Sequence, residues 1–525
     1  MQNKAYKLLL VAEIALASLI AAYFIFYFWD EPIDDSFIPW RYARNLATGN
    51  GFVWNIGEGP VEGYTSFLWL IFLTSLFYFG LNPFFGVISV SVFSLAAVFY
   101  LTFRIAKKLS VVNARAGIIP ALAVSLLIAL PYSWMNAFDG LETIAASALY
   151  LTFIFFVLSY EESKRNSQLY ALAILAFLCG LMRPELLLLC SSSLLLMLIY
   201  NPGYRWRIIK SVLLLSFLPG LAYMAWRYHE FGLLFPLPFY VKIGNVTQER
   251  RAEFAVSYVY AFCFEFSPWI IGAFLAHLAQ DATHRKIIWY LKAPIIATML
   301  LLLCVYPQMG MAYRFFMPIF PMLAILAAYG YIKALTTLWQ RFQFPNIAIY
   351  PTILLLFVML ITPSFHYAWR YLRISNIIEK AHLPCYGVEI GQYLRKISEP
   401  GEKPVLVSGD AGVMPYYSGW NHVDLFGLND KHIATTEVLD AEYVFRKNPD
   451  LIILTAYKRE SFKSCFWDWG NEIYQMALRR GMRPVKIINV GTTRDPLYYW
   501  FLAYPGSKIA KKIKKMQMEK CTVEF

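Results

Sequence analysis

Long apolar stretches, separated by short polar connections, constrain this chain more than any other feature. A helix needs roughly 17 to 25 mainly apolar residues to cross a bilayer. Hydrophobic residues make up 58% of the chain and charged residues only 15%, which excludes an ordinary soluble protein of this length. The sequence therefore predicts a polytopic α-helical membrane protein with about eleven spans, at about 8–28, 84–103, 116–132, 142–160, 168–182, 185–200, 211–227, 257–279, 293–307, 315–339 and 346–366. The two that flank Arg183 are short, and we expect them to be tilted or broken.

Basic residues mark one side of this arrangement. Lys and Arg are concentrated in the connections at 104–115, 164–165, 205–210 and 285–292, which all fall on the same side of the membrane. Cytoplasmic loops carry such an excess, so we expect a cytoplasmic amino terminus. The net charge of +13 is then a signal of topology and not of nucleic-acid binding.

Two units follow from this pattern. Residues 1–366 are predicted to form a membrane catalytic domain with an outer loop at 30–65. A surface helix at about 66–80, anchored by Trp69 and Tyr78, is predicted next because its apolar run is too short to span. Residues 367–525 lack a long apolar run and contain strand-like segments such as Val405–Ser408. We predict a soluble α/β domain there, on the non-cytoplasmic side.

Candidate chemistry begins directly after the first apolar stretch. Asp34 and Asp35 are adjacent, and Arg41 and Arg44 lie three residues apart, on one face of a helix. A carboxylate can accept the proton of an attacking hydroxyl, while guanidinium groups stabilise charge on a phosphate leaving group. Neighbouring residues of an extended segment point in opposite directions, so we expect one of the two, Asp35 or Asp34, to be the base. A solvated acidic turn is the alternative.

These residues belong to a longer series of motifs. The outer loop contains Asp34-Asp-Ser-Phe-Ile, Arg41-Tyr-Ala-Arg-Asn, Gly49-Asn-Gly-Phe-Val-Trp-Asn, Gly57-Glu and Val61-Glu-Gly-Tyr-Thr-Ser-Phe-Leu-Trp. Further along the chain are Gly140-Leu-Glu-Thr, Arg183-Pro-Glu, Pro236 to Lys242, Asp410-Ala-Gly-Val-Met-Pro-Tyr-Tyr-Ser-Gly and Asp424-Leu-Phe-Gly-Leu-Asn-Asp. In this order they resemble membrane glycosyltransferases of the GT-C class, in particular the terminal arabinofuranosyltransferases of mycobacterial cell walls. One departure is that the family's Gly-Gly-Asp before the span near Arg314 is missing.

The resemblance implies an activity. It is the transfer of a sugar, for example arabinofuranose, from a polyprenyl-phosphate donor to an acceptor in the cell envelope, with inversion and a carboxylate base. It implies a bacterial plasma membrane protein, a glycan, lipid or protein acceptor, no cofactor and no nucleic acid. We expect no metal, although a divalent ion stays open. Transfer of another lipid-linked group, or transport of a lipid or glycan, are the alternatives.

The same series of motifs supplies the remaining candidate site residues. The residues predicted to bind the donor phosphate or substrate are Arg41, Arg44, Arg183, Lys242 and Arg314. The residues predicted to support the site are Glu62, Tyr64, Asp139, Glu142, Glu185, Asp410 and Asp424. Glu142 begins an apolar run, where an unpaired charge is costly, so we expect it to pair near Arg183 and Glu185. Lys242 and Arg314 could instead reach lipid headgroups.

Overall fold

The computed structural model describes residues 2–28, 32–110, 117–244, 248–279, 282–305, 310–343, 349–375, 383–399, 401–436, 439–465, 468–491 and 496–518. The amino-terminal part is helical, with α1 (Gln2–Phe28), α2 (Phe37–Ala47), α3 (Phe67–Tyr78), α4 (Pro83–Lys107), α5 (Ile118–Ile128), α6 (Pro131–Phe138), α7 (Thr143–Ser163), α8 (Asn166–Met182), α9 (Glu185–Tyr200), α10 (Arg205–Val212), α11 (Leu218–Phe231), α12 (Leu237–Gly244), α13 (Gln248–Glu265), α14 (Ser267–Leu278), α15 (Arg285–Cys304), α16 (Phe320–Phe342) and α17 (Ile349–Ser375). Between them lie the 3-10 segments Asp34–Ser36, Pro202–Tyr204 and Met311–Ile319, and the π-helical turn Leu213–Phe217.

Helices lie at the predicted positions, but in the described part of the chain fewer than the predicted eleven are long and apolar enough to span a membrane. Among the described residues, six helical stretches are long and apolar enough to cross a membrane. Two bent pairs, α5 with α6 at 53° and α13 with α14 at 75°, would each add one broken span. The shorter apolar stretches include α8, α9 and part of α1, which coincide with predicted spans. The protein is therefore a multi-pass membrane protein.

The predicted surface helix is α3, but its anchoring differs from the prediction. Tyr78 is exposed, whereas Trp69 is 1% exposed and faces the interior. The helix packs against α2 and α8, so one of its faces is covered by protein. The prediction that Trp69 is an interfacial anchor is wrong, because a buried indole cannot contact lipid headgroups.

The centre of the helical part is α16, whose first ten residues are all buried. It packs closely against α14, where a Cβ added to Gly330 would lie 1.9 Å from the backbone oxygen of Gly272. Glycine at position 330 therefore permits two backbones to meet, as small residues do in membrane helix pairs.

The carboxyl-terminal unit is an α/β domain. It contains α18 (Leu383–Ile397), β1 (Val405–Ser408), α19 (Val413–Ser418), β2 (Asn421–Asp424), α20 (Lys431–Thr435), α21 (Ala441–Arg446), β3 (Leu451–Ala456), α22 (Trp469–Arg479), β4 (Arg483–Asn489), β5 (Tyr498–Ala503) and α23 (Lys508–Lys515). The strand order is β2-β1-β3-β5-β4, in which β1 is parallel to β2 and β3, and β5 is antiparallel to β3 and β4. Apolar side chains cover both faces of the sheet. The predicted α/β composition is confirmed.

Candidate active site

A cavity of about 310 Å³ lies between the helical part and the α/β domain. Its wall is formed by Asp34, Asp35, Ile38, Pro39, Gly63, Tyr64, Thr65, Ser66, Trp69, Leu141, Glu142, Pro238, Val241, Lys242, Arg314, Gly409, Asp410, Ala411, Phe426 and Leu428. The structure thus brings together the acidic pair, the two cations near the predicted outer helix ends and a loop of the distant domain.

Asp34 joins the two domains at the edge of this cavity. Its carboxylate accepts hydrogen bonds from the backbone N–H of Gly412 at 3.1 Å and of Val413 at 2.7 Å. A Cβ at position 412 would lie 1.9 Å from the Asp34 carbonyl oxygen, so only glycine allows this approach. Burial raises the pKa of Asp34 to about 7, and the nearby carboxylate of Asp410 contributes to the rise. Asp410 in turn accepts a hydrogen bond of 2.6 Å from the Tyr499 hydroxyl.

Asp35 lies in the same wall but in a different environment. Within the described ranges no hydrogen-bond donor to its carboxylate is found, and its main charged neighbours are Arg314 and Lys242. Burial raises the pKa of Asp35, and the two positive charges oppose that rise. A carboxylate that keeps its lone pairs free beside cations can accept a proton from a bound hydroxyl. Asp34 has its oxygens committed to the backbone of the other domain.

Three cations gather around the ring of Phe315. The charged groups of Arg183 and Arg314 each lie 5.4 Å from the ring centroid, and that of Lys242 lies 5.9 Å from it. Burial, together with the charge of Arg314, lowers the pKa of Lys242 to about 8. Concentrated positive charge next to a cavity is suited to an anionic ligand such as a phosphate.

Of these cations, Arg183 is already neutralised. It forms ion pairs with Glu142 at 3.3 Å and with Glu185 at 2.6 Å, so the predicted pairing of Glu142 is present. Arg183 does not belong to the cavity wall. Two carboxylates occupy its guanidinium group, which favours a structural role, and its predicted contact with the donor phosphate stays a prediction. By contrast, Nε and one terminal nitrogen of Arg314 have no partner among the described residues.

Neutral hydrogen-bond donors form another part of the wall. The hydroxyls of Tyr64 and Ser66 and the indole N–H of Trp69 are buried and have no partner in the described part of the chain. A buried polar group without a partner costs about 1–3 kcal/mol, and such groups are typical of sites completed by a ligand. Sequence reasoning identified Tyr64 but missed Ser66 and Trp69, although all three lie in one motif.

Arg41 and Arg44 do not line the cavity. Arg41 donates to the backbone oxygens of Trp54, Pro415 and Trp420 and to Asn55 Oδ1, at 2.7–3.0 Å. Every side-chain nitrogen of Arg41 is bound to protein, so this geometry does not support its predicted phosphate contact; the predicted contact of Arg44 stays a prediction.

Arg44 fastens the same helix to the α/β domain. It donates to the carbonyl oxygen of Tyr416 at 3.1 Å and lies 4.5 Å from the centroid of that ring. Both arginines of α2 therefore join the outer loop to the second domain.

The other predicted supporting residues hold loops. Glu62 forms a buried, multiply hydrogen-bonded ion pair with Arg227, at distances of 2.5–2.9 Å, and Arg227 was not predicted as its partner. Asp139 accepts from the backbone N–H of Leu141 at 2.8 Å. Asp424 accepts from the backbone N–H groups of Phe426 and Asn429 and from the side chain of Asn429, at 2.9–3.0 Å. These contacts shape the loops whose neighbouring residues line the cavity.

Across the described ranges, no three His, Cys, Asp or Glu side chains are grouped as a metal site requires.

The architecture has solved counterparts. ArnT from Cupriavidus metallidurans in its apo state matches with a TM-score of 0.59 and 14% identity, over 96% of this chain and 98% of ArnT. ArnT bound to undecaprenyl phosphate matches with a TM-score of 0.57 and 12% identity, over 93% and 97%. The fold is therefore that of the GT-C class of membrane glycosyltransferases.

At the sequence level the chain is similar to terminal β-(1→2)-arabinofuranosyltransferases. The Mycobacterium tuberculosis protein is 33% identical over 218 residues, which are 39% of this chain and 33% of that relative. The Corynebacterium glutamicum protein is 28% identical over 244 residues, which are 42% and 35%. The chain thus matches about a third of the length of these relatives. Residues 375–501 match a domain of unknown function, DUF8728. The resemblance predicted from the motifs is confirmed.

Proposed function

We propose that this protein is a membrane glycosyltransferase that moves a sugar from a polyprenyl-phosphate carrier to a hydroxyl of an acceptor. The observation that carries the proposal is the cavity in which Asp35 lies beside Lys242 and Arg314. The fold of ArnT, which has been solved with undecaprenyl phosphate, supports a lipid phosphate as the ligand.

The reaction needs one base and one cationic site. Asp35 accepts the proton of the acceptor hydroxyl, while the oxygen of that hydroxyl forms a bond to the anomeric carbon of the sugar. The bond from that carbon to the phosphate oxygen breaks, and its electron pair stays on the phosphate. Because the new bond forms on the face opposite the leaving phosphate, the configuration at the carbon inverts. Lys242 and Arg314 stabilise the charge that develops on the leaving phosphate. Asp34 holds the α/β domain against the cavity through its hydrogen bonds to the backbone of Gly412 and Val413.

The size of the cavity bears on the donor. Ligand pockets hold about 300–1,000 Å³, and this one, at about 310 Å³, is at the small end. It favours a single sugar over a preassembled oligosaccharide. A pentofuranose such as arabinofuranose, and a cell-envelope glycan or glycoconjugate as acceptor, are proposed from the similarity to the arabinofuranosyltransferases. We also propose a bacterial plasma membrane location, with a cytoplasmic amino terminus and an external α/β domain.

A direct assay tests this function. The purified protein in lipid nanodiscs is given polyprenyl-phosphate arabinofuranose, or a polyprenyl-phosphate hexose, with an arabinan acceptor. We expect transfer of one sugar by the wild type and a loss of at least 10²-fold on Asp35→Asn, since a positioned base contributes about 10²–10⁴-fold. Asp440→Asn is the matched control, because Asp440 lies outside the cavity wall and forms an ion pair with Arg446 at the surface. Full turnover by Asp35→Asn would refute the assignment of the base.

A further inference from the structure

Two residues directly before Arg314 have an unusual backbone. Ala312 has φ 51° and ψ 29°, and Tyr313 has φ 50° and ψ 33°. Both are left-handed, a conformation that residues with a side chain rarely adopt. Such conformations persist only where the surroundings hold them, and they are concentrated at functional sites. The direction of the Arg314 side chain depends on this pair, because it follows them immediately in the chain.

Side chains from neighbouring helices hold this segment. The amide nitrogen of Asn136 donates to the carbonyl oxygen of Ala312 at 2.9 Å, and the hydroxyl of Tyr258 donates to that of Gly310 at 2.9 Å. These bonds fix the backbone on both sides of the first left-handed residue. They do not by themselves fix Tyr313.

Tyr313 is held by Glu265. Their side chains are hydrogen-bonded, and the same carboxylate accepts a bond of 2.8 Å from the Tyr132 hydroxyl. The ring of Tyr313 lies between those of Tyr132 and Phe262, with centroids 5.1 and 5.6 Å away. The Tyr313 ring therefore packs against other aromatic rings, and its hydroxyl is hydrogen-bonded to the Glu265 carboxylate.

Glu265 has an unusual place in the fold. It ends α13, at the 75° bend to α14, and is 2% exposed. Among the described residues it has no cationic partner, and its bonding partners are the hydroxyls of Tyr132 and Tyr313. A buried acidic side chain without a cationic partner is costly, and within a membrane protein such residues are usually functional. A neutral apolar residue would fill this bend without that cost.

We infer that Glu265 is a positioning residue for Arg314. By holding the Tyr313 hydroxyl, it keeps residues 312–313 left-handed and so directs the guanidinium group of Arg314 toward the cavity. Without this anchor, the segment relaxes to ordinary backbone and the Cα–Cβ direction of Arg314 changes. The inference rests on the proposed function, in which Arg314 binds the donor phosphate.

The test measures affinity for undecaprenyl phosphate in nanodiscs. We expect Glu265→Ala and Tyr313→Phe to weaken binding about 10-fold, because each removes the hydrogen bond that holds Tyr313 and with it the direction of Arg314. Glu265→Gln keeps an acceptor for the hydroxyl and should stay within about 3-fold of the wild type. Glu265→Ala in an Arg314→Ala background should have no additional effect, because interacting residues are not additive. Glu13→Ala, which removes another buried carboxyl next to Ser125, is the control and should bind like the wild type.

Two results would overturn the inference. One is wild-type binding by Glu265→Ala when Arg314→Ala has lost affinity. The other is an additive loss in the double variant, which would mean general damage to the fold. If the wild type itself binds no lipid phosphate, the proposed function fails, and the inference is then decided by an experimental structure of Glu265→Ala. That structure should show residues 312–313 with negative φ and Arg314 turned from the cavity; an unchanged segment refutes it.

Discussion

The carboxylate of Asp34 accepts a hydrogen bond of 2.7 Å from the backbone N–H of Val413, in a domain that begins hundreds of residues later. A second bond comes from Gly412 at 3.1 Å. The first N–H groups of a helix lack partners within it, and here an acid from the helical part satisfies them. Both domains contribute residues to the cavity wall, so this contact helps to hold the two halves of the site together.

Gly412→Ala tests that docking. The added Cβ would lie 1.9 Å from the Asp34 carbonyl oxygen, so the helix α19 must move away and both hydrogen bonds are lost. We expect a lower midpoint of thermal unfolding and at least a 10-fold loss of transfer activity. Gly59→Ala is the control, since it has open space around it and no positive φ. Equal stability and activity of the two variants would contradict the close approach.

The paired acids Asp34 and Asp410 predict a pH dependence of stability. The folded state raises the pKa of Asp34 from 3.8 to about 7, so folding takes up a proton between these values. Stability from this group is therefore present at low pH and is lost as the pH rises through about 7. Asp410→Asn removes the like charge and should lower this pKa. We expect a flatter curve of unfolding free energy between pH 5 and 8 for Asp410→Asn than for the wild type, measured by denaturant unfolding. Parallel curves would contradict the pairing.

The lowered pKa of Lys242 predicts the pH above which activity falls. Its pKa is lowered to about 8, so above this pH it loses the charge that would bind phosphate. We expect kcat/KM to fall above about pH 8 in the wild type. In Lys242→Arg this limb should move to higher pH, because guanidinium stays charged. Lys431→Arg, which replaces a lysine bonded to the carbonyl oxygen of Phe231, should leave the pH profile unchanged. If kcat/KM of Lys242→Arg still falls near pH 8, the fall is caused by the titration of another group.

Lys242 also affects the pH below which kcat/KM falls. Its charge and that of Arg314 oppose the rise in the pKa of Asp35. Lys242→Met removes one of these charges, so the pKa of the base should rise further. We expect the acidic limb of kcat/KM to move to higher pH in this variant, as measured in the transfer assay. A shift to lower pH would mean that Asp35 is not the titrating base.

The unpartnered donors Ser66 and Trp69 predict a contact with the sugar. Ser66→Ala and Trp69→Phe each remove one buried donor from the cavity wall. A hydrogen bond contributes about 0.5–1.5 kcal/mol, so we expect KM for the lipid-linked sugar to rise about 3- to 10-fold. Binding of undecaprenyl phosphate, which has no sugar, should not change. Ser75→Ala is the matched control, because that hydroxyl is bonded to the carbonyl oxygen of Phe72. An equal loss of affinity for undecaprenyl phosphate would mean that Ser66 and Trp69 do not contact the sugar.

Much of the fold is readable from the sequence alone. Apolar length decides which segments form membrane helices, and this property depends on each segment by itself. Composition likewise predicts the α/β domain, although α17 continues to Ser375, beyond the predicted boundary at 366. The adjacent acids Asp34 and Asp35 are visible in the chain as a pair. These features are local, so no knowledge of the tertiary structure is needed to find them.

The partners of individual side chains were decided only by the tertiary structure. Local spacing placed Arg41 and Arg44 on one helix face, yet Arg41 binds the carbonyl oxygen of Pro415, 374 residues away. Trp69 was expected at the lipid surface and is buried in the cavity wall instead. Spacing fixes which residues share a face but not what that face meets. That choice is made when distant segments pack, and it determines which charges are satisfied by protein and which remain available for a ligand.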